Sequence, residues 1–233
     1  MLRRLEHSPE LLDAPQHDPA ELEQSLDHVA EVNRLLGGTR AVLRTLADVS
    51  AARSPLAILD VATGSADIPI AIAERAHRHG TAVHITATDA HPQMRAIAAD
   101  RTRAYANIRV EPADALQLPY ADASFDVVLL SLALHHFERA AQQRALREAA
   151  RVARDAVIIN ELERCLPNYL GARLLAATRW RSNRLTRHDG PLSVLRAFTA
   201  DELRHVTEEA GLRVLSLRRH FFHRLVLVAA GEA

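Results

Sequence analysis

The residues best suited to chemistry are carboxylates set among small residues. The run Ile58-Leu59-Asp60-Val61-Ala62-Thr63-Gly64-Ser65-Ala66-Asp67-Ile68 puts Asp60 at the end of an apolar stretch, then a turn of small side chains, then a second carboxylate. Gly64 with Ala62, Ser65 and Ala66 lets backbone approach a ligand closely. Thr88-Asp89-Ala90 lies 25 residues beyond Gly64, and Pro112-Ala113-Asp114-Ala115-Leu116 follows. Ser124-Phe125-Asp126-Val127-Val128 then leads into Ser131-Leu132-Ala133-Leu134-His135-His136. Carboxylates near such a turn can hold a cation or accept from sugar hydroxyls, and a histidine can take a proton near neutral pH.

A dinucleotide needs a pyrophosphate seat at a helix N-terminus, usually G-x-G-x-x-G. Here those positions read Ala62, Gly64 and Asp67, and the Asp67 carboxylate would repel a diphosphate. S-adenosylmethionine (SAM) has no phosphate and carries a sulfonium and an ammonium, so Asp60 and Asp67 suit it. On this reading Asp89 accepts hydrogen bonds from both ribose hydroxyls, Asp114 holds the adenine amino group, and Leu116 packs on the ring.

Other polar groups read less sharply. Arg187-His188-Asp189-Gly190-Pro191-Leu192-Ser193 is either a substrate lid, with His188 as a base oriented by Asp189, or an ordinary Asp-Gly-Pro turn. Arg173, Arg179, Arg181, Arg184 and Arg187 form a solvated face, or else meet an acidic substrate, a membrane surface or a partner helix. His220 and His223 have no nearby cysteine or acidic cluster in sequence, so no metal site is expected. Cys165 reads as an adaptable apolar side chain.

These residues sit in a chain of 233 residues, enough for one domain with a helical extension. Lys and Arg total 29 against 29 Asp and Glu, and the zero net charge gives no general pull toward nucleic acid. All 29 basic residues are arginine, which excludes Schiff-base and lysine-base chemistry. The single cysteine excludes an internal disulfide framework and points to a reducing compartment. Met1 to Pro15 carries charges and two prolines and reads as neither a secretory signal nor a membrane span, so a cytoplasmic location is expected.

The elements that must position the carboxylates follow from periodicity. Residues 1–17 look irregular and mobile. Asp18-Pro19-Ala20-Glu21 opens a helix carrying Leu22, Leu26, Val29 and Leu36, which Gly37-Gly38 stops. A second helix is expected over Thr39–Val49, and Pro55 closes this N-terminal extension. Strands are then expected at Ala57–Val61, Val83–Thr88, Asn107–Val110, Phe125–Ser131 and Ala156–Asn160. Helices are expected at Asp67–His79, His91–Ala104 and Glu138–Val152. Several strands are apolar without alternation, as strands buried on both faces are. The order implies a Rossmann-like, doubly wound α/β sheet, mostly parallel, with helices on both faces. Leu166–Leu185 breaks the order with a helical stripe of Leu170, Leu174, Leu175 and Thr178. Thr199-x-x-Glu202 is a capping box for a helix ending at Gly211. Two strands near Leu212–Leu217 and Leu225–Ala229 are close enough to pair as an antiparallel hairpin. The expected division is therefore an N-terminal helical cap over 1–54 and a ligand-binding domain over 55–233, with a helical lid inserted at about 165–198.

The series D-V-A-T-G-S-A-D, T-D, D-A and S-F-D-V-V, in that order, resembles class I SAM-dependent methyltransferases over roughly residues 56–160. The first motif is most similar to that of the ubiquinone/menaquinone C-methyltransferase family, with Ala62 and Ala66 where glycines are usual. Those quinone enzymes usually carry Gly-Leu-Arg-Asn where this chain has Ala133-Leu134-His135-His136. The resemblance implies SAM as cofactor, with contacts at Asp60, Ala62, Gly64, Asp89, Asp114, Ala115 and Ser131, and at their neighbours Thr63, Ala90, Leu116 and His136. The plainer alternatives are a buried cap at Asp60, a helix cap at Asp89, a loop aspartate at Asp114 and loop packing at the two histidines.

Methyl transfer is an in-line displacement from a sulfonium, and needs a base only if the nucleophile must lose a proton; His136 and His188 are the candidate catalytic groups. The expected acceptor is a small apolar or aromatic molecule, with O-methylation of a phenol, hydroxy-quinone or polyketide-like compound of secondary metabolism preferred. C-methylation of a quinol-like ring, methylation of RNA or protein, and a non-catalytic SAM-binding subunit are the alternatives. No nucleic-acid partner and no stable membrane insertion are expected, and a homodimer is compatible with the chain.

Overall fold

In the computed structural model, which describes residues 2–49 and 54–231, successive residues of the apolar strands serve two cores. In chain order the elements are a 3-10 turn (Leu11–Asp13), α1 (Pro19–Leu35), α2 (Gly38–Val49), β1 (Leu56–Val61), α3 (Asp67–His79), β2 (Val83–Asp89), α4 (Pro92–Arg101), β3 (Ile108–Pro112) and β4 (Phe125–Ser131). They continue with a 3-10 turn (Leu134–His136), α5 (Arg139–Val152), β5 (Ala153–Leu162), α6 (Leu166–Ala177), α7 (Arg184–Arg196), α8 (Ala200–Glu209), β6 (Leu212–His220) and β7 (Arg224–Gly231). Because strand side chains alternate, Leu59, Val61, Val128, Leu130, Val157 and Ile159 pack on one face, against Leu146 of α5 and Leu203 of α8. Ile58, Val127, Leu129, Ile158, Val226 and Val228 pack on the other, against α2 and α3.

The sheet has seven strands in the order β3-β2-β1-β4-β5-β7-β6. β1, β2, β3, β4 and β5 run parallel, while β7 is antiparallel to β5 and to β6. The order reverses between β1 and β4, and the crevice beyond the carboxyl ends of such strands is where open α/β sheets bind ligands. The Rossmann-like sheet with its antiparallel C-terminal hairpin is as the sequence implies.

Part of the segment expected as an N-terminal cap packs into the sheet's own core. Ala41, Val42 and Leu46 of α2 are buried in the core beside Ile68, Ile72 and Ala76 of α3, so α2 belongs to a helical layer of the sheet. Burying Val42 and Leu46 contributes about 1.5–3 kcal/mol each. α1 instead spans the crevice, started by Asp18, whose side chain accepts from the Glu21 N–H at 2.9 Å. The expected boundary at 54/55 adjoins residues 50–53, which lie outside the described residues.

Three expectations are corrected. Residues 2–17 are irregular but docked: the Leu5 N–H donates to the Leu195 carbonyl at 3.1 Å, Arg4 Nε to the Arg196 carbonyl at 2.9 Å, and the Arg4 guanidinium lies over the Phe198 ring. Residues 187–193 form neither a turn nor a loop. They lie inside α7, which Asn183 caps by accepting from the Thr186 N–H. Turn-prone Asp189-Gly190-Pro191 is overridden by packing, since Gly190 lies against Trp180 so closely that a Cβ there would meet the ring at 2.4 Å. Finally, Leu170 and Leu174 of α6 are exposed, and the helix turns Ala172 and Ala176 inward, with Leu175 packed beside them.

Candidate active site

The turn after β1 is held open by backbone geometry that side chains usually avoid. Ala62 (φ 56°) and Ala66 (φ 59°) adopt the left-handed conformation, as does Gly64 (φ 56°). Such a conformation costs a non-glycine residue about 1–2 kcal/mol and persists where the surroundings fix it. Here the next strand does so. The Thr63 N–H donates to the Thr88 carbonyl at 2.8 Å, and Thr88 Oγ1 donates to the Asp60 carbonyl at 3.2 Å. Asp89 at the end of β2 accepts the Gly64 N–H at 3.0 Å through one oxygen and the His91 N–H at 2.8 Å through the other. Asp89 thus braces the turn and the entry to α4, whose N-cap is His91, its side chain accepting from the Gln93 N–H.

The turn opens into a cavity of about 740 Å³, which lies within the range of small-molecule sites. Asp60, Ala62, Thr63, Gly64, Asp89, Ala90, Asp114, Ala115, Ser131 and His136 all line it. Leu116 is not among the lining residues; its N–H donates to Asp114 Oδ1 at 2.9 Å. His188 is not brought to the cavity either. Its side chain is half exposed and pairs with Asp189 at 2.7 Å, and it is Asp189 that faces inward. The lining is apolar over much of its area, through Leu26, Val29, Val32, Leu175, Trp180 and Phe222.

The charges are unevenly placed. Asp60 is 2 % exposed, and its Oδ1 has no hydrogen-bond partner. Burial, reinforced by the charges of Asp67 and Asp89, pushes its carboxyl up to about 7. Burial also raises the Asp67 carboxyl, against the hydrogen bond from Asn33 Nδ2 at 3.0 Å. Asn33 Oδ1 in turn accepts from Arg224 Nη2 at 3.1 Å. Arg224 is buried with Nη1 unpartnered, and burial lowers it to about 10 despite Glu161 and Asp67. This relay ties α1 and β7 to the turn after β1.

A second polar group lies after β4. His135 Nδ1 and Glu161 Oε2 are 2.8 Å apart, and His136 Nδ1 and Asp13 Oδ1 are 2.7 Å apart. Glu10, 5 % exposed, accepts from Ser193 Oγ at 2.9 Å, while its Oε1 has no hydrogen-bond partner. Burial works against it, but Glu10 and Asp13 push His136 up to about 9. Burial likewise opposes but does not cancel the effect of His135 and His136, which hold the Glu161 carboxyl below its ordinary value. Asp189 accepts the Leu11 and Leu12 N–H groups at 2.8 Å each, fixing the segment that carries Glu10 and Asp13.

Sequence reasoning missed Glu10, Asp13, Asn33, Glu161 and Arg224 as site residues, and it named Asp189 only as the partner of His188. Asn160-Glu161 carried a readable signal, polar side chains at the carboxyl end of an apolar strand in a parallel sheet. Glu10 and Asp13 carried none, because their partners are more than 120 residues away. The premise at His223 is also corrected, since the fold brings Glu163 and Cys165 to it.

The cavity fits a cationic nucleoside. Asp60 Oδ1 and Ser131 Oγ are buried without a hydrogen-bond partner and can face donors or a positive charge, and Asp67 stands in the first turn of α3, where a diphosphate would lie. The basic run behaves as a solvated face, with Arg179 paired to Glu31 at 2.6 Å and Arg184 to Glu21 at 3.4 Å. No described helix is long and apolar enough to cross a membrane.

Comparison with known proteins agrees with this chemistry. Residues 58–156 match the family described as Methyltransferase domain. A demethylmenaquinone methyltransferase of Deinococcus radiodurans is 41 % identical over 109 residues, covering 46 % of this chain and 44 % of that protein. The chain thus spans about half the length of the curated relatives it matches. A SAM-dependent methyltransferase from Aquifex aeolicus superposes with a TM-score of 0.66 at 16 % identity, covering 92 % of this chain and 98 % of that one. An O-methyltransferase family 2 protein from Planctomyces limnophilus, in complex with apigenin, gives 0.66 at 18 % identity, covering 94 % of this chain and 63 % of that one. At those identities the two structures speak for the fold. Residues 58–156 are thus similar to methyltransferase domains, and the sequence relatives of this region carry the name demethylmenaquinone methyltransferase.

Proposed function

We propose that the chain transfers the methyl group of SAM to an oxygen of a small phenol, hydroxy-quinone or polyketide-like acceptor. The observation that carries the cofactor half is the buried Asp60 Oδ1 without a partner, facing a turn whose backbone is open and whose helix start bears Asp67 rather than a phosphate seat. Bound SAM supplies a methyl group on a positively charged sulfur, with a neutral leaving group. The chain's own residues do the rest. Asp60 and Asp67 favour the positive charges, Asp89 offers its remaining lone pairs to the ribose hydroxyls, and Asp114 and Ala115 line the base end. The roof of α1, α6 and α7 excludes water and aligns the acceptor, and positioning of this kind supplies roughly 7–11 kcal/mol in well-oriented systems.

The apolar lining supports an apolar or aromatic acceptor, and His136 lines the cavity beside His135, where an acceptor oxygen can meet it. C-methylation of a quinol-like ring is the second reading, supported by relatives that carry the name demethylmenaquinone methyltransferase. Incubating purified protein with methyl-labelled SAM and parallel panels of phenols, hydroxy-quinones and quinols, then locating the label by NMR, tests both. Label on oxygen supports the first reading and label on ring carbon the second. A protein that fails to bind SAM at all defeats both.

A further inference from the structure

Glu10, His135 and His136 come from two parts of the chain and converge on one wall of the cavity. One donor atom from each lies within 4.8 Å of the other two. His135 Nε2 is 3.7 Å from Glu10 Oε1, and His136 Nε2 is 4.0 Å from Glu10 Oε2. We propose that these three residues form a binding site for a divalent transition-metal ion, open on its fourth side to the acceptor cavity.

Four observations carry it. The first is orientation. Each imidazole uses Nδ1 toward a carboxylate, Glu161 for His135 and Asp13 for His136. That carboxylate–histidine arrangement fixes the tautomer of metal-binding histidines and leaves Nε2 for the ion. The second is distance. Tetrahedral coordination with bonds of about 2.0–2.1 Å holds donors about 3.4 Å apart, so the two imidazole–carboxylate pairs, at 3.7 and 4.0 Å, and the whole donor set, within 4.8 Å, need only side-chain adjustments to close around an ion. The third is the orphaned oxygen. Glu10 is 5 % exposed, and its Oε1 has no hydrogen-bond partner, only the Arg196 Nε at 3.6 Å and the His135 Nε2. The fourth is charge. Around His136 the carboxylates of Glu10 and Asp13 outnumber the Arg196 guanidinium, which favours a positive charge at this wall.

Two imidazoles and a carboxylate with open positions suit Zn²⁺, Fe²⁺ or Co²⁺ rather than Mg²⁺ or Ca²⁺, which prefer all-oxygen shells. The second cluster, Glu163, Cys165 and His223, is less suited because Glu163 is already bonded to Arg219 at 2.7 Å. The site rests on side-chain geometry alone. Its use as an anchor for an acceptor oxygen, which would lower that hydroxyl's pKa, rests on the methyl-transfer reading.

The test is titration of the chelator-treated full-length protein with Co²⁺, followed by visible absorption, with Zn²⁺ as competitor. The expected result is saturation at one ion per chain, displacement by Zn²⁺, and two strongly contact-shifted imidazole N–H resonances in the wild-type NMR spectrum. Glu10→Gln and His136→Ala should each weaken binding at least tenfold, and Cys165→Ser should leave it unchanged. The absence of saturable binding in the wild type, or loss with Cys165→Ser and not with Glu10→Gln, overturns the proposal. The wild-type spectrum decides if a variant fails to fold. SAM calorimetry on the metal-free protein separates failure of the metal site from failure of the methyltransferase reading.

Discussion

The two walls of the cavity are built by opposite strategies. The floor, from the turns after β1 and β2, is assembled from neighbouring strands, and its bonds are mostly backbone to backbone or backbone to carboxylate, as at Asp89. The roof, from residues 2–17, α1, α6 and α7, is held by side chains of residues far apart in sequence: Asp189 to Leu11 and Leu12, Thr186 to Ser25, Asn183 to Gln24 and to the Glu21 carbonyl. A floor fixed by the sheet can hold one cofactor, while a roof fixed by replaceable side chains can vary with the acceptor. Substitutions in the floor should therefore change cofactor affinity and its pH dependence, and substitutions in the roof should change stability and acceptor use.

The largest expected effect is on the floor. The Asp60 carboxyl rises from 3.8 to about 7 in the folded protein. A raised acid binds its proton more tightly when folded, so the stability it lends is present at low pH and is lost as pH rises from about 4 to about 7. At about 1.4 kcal/mol per unit the whole window is worth about 4 kcal/mol. Urea unfolding of cofactor-free protein at pH 5 and at pH 7.5 should show this slope in the wild type, and Asp60→Asn should flatten it. An unchanged slope in the variant removes Asp60 as its source. Next, Asp89→Ala takes away two charge-assisted hydrogen bonds, one from Gly64 in the turn and one from His91 at the entry to α4, at about 1.5–3 kcal/mol each. SAM affinity by calorimetry should fall about a hundredfold or more, with a smaller fall in melting temperature.

Roof substitutions should act the other way round. Gly190→Ala forces a methyl group against Trp180 and should destabilise by about 1–3 kcal/mol. That lowers the melting temperature by several degrees, while SAM affinity changes by less than for Asp89→Ala. Asp189→Asn keeps one acceptor oxygen for the Leu11 and Leu12 amides and should cost about 1 kcal/mol. It should also speed hydrogen exchange at those two amides ahead of the rest of the chain. The smallest effect is expected at Leu170→Ser, because Leu170 is exposed: within about 0.5 kcal/mol by thermal unfolding, unless a partner covers that face.

The same division decided what could be read from sequence. Each floor motif couples strand, turn and helix within a dozen residues, so Asp60, Gly64 and Asp89 were legible from local patterning, while Ser131 followed from the family resemblance; all four line the cavity. The mostly parallel, doubly wound sheet followed because apolar strands alternate with helices. The roof gave misleading local signals. Asp189-Gly190-Pro191 has turn chemistry but is helical, because Trp180 and the N-terminal segment pack against it. His188 was singled out for its type and its neighbour, yet helix periodicity turns Asp189 inward and His188 toward solvent. Glu10 and Asp13 sit in an irregular stretch, and their contacts with His135, His136 and Ser193 depend on long-range docking that no local pattern encodes.

One titration bears on all of this most directly: calorimetry of the purified chain with SAM and, in parallel, with NAD. The charge distribution at Asp60 and Asp67 predicts stoichiometric SAM binding that Asp89→Ala abolishes or weakens at least a hundredfold, and no heat with NAD. Saturable binding of NAD, with none of SAM, would contradict it.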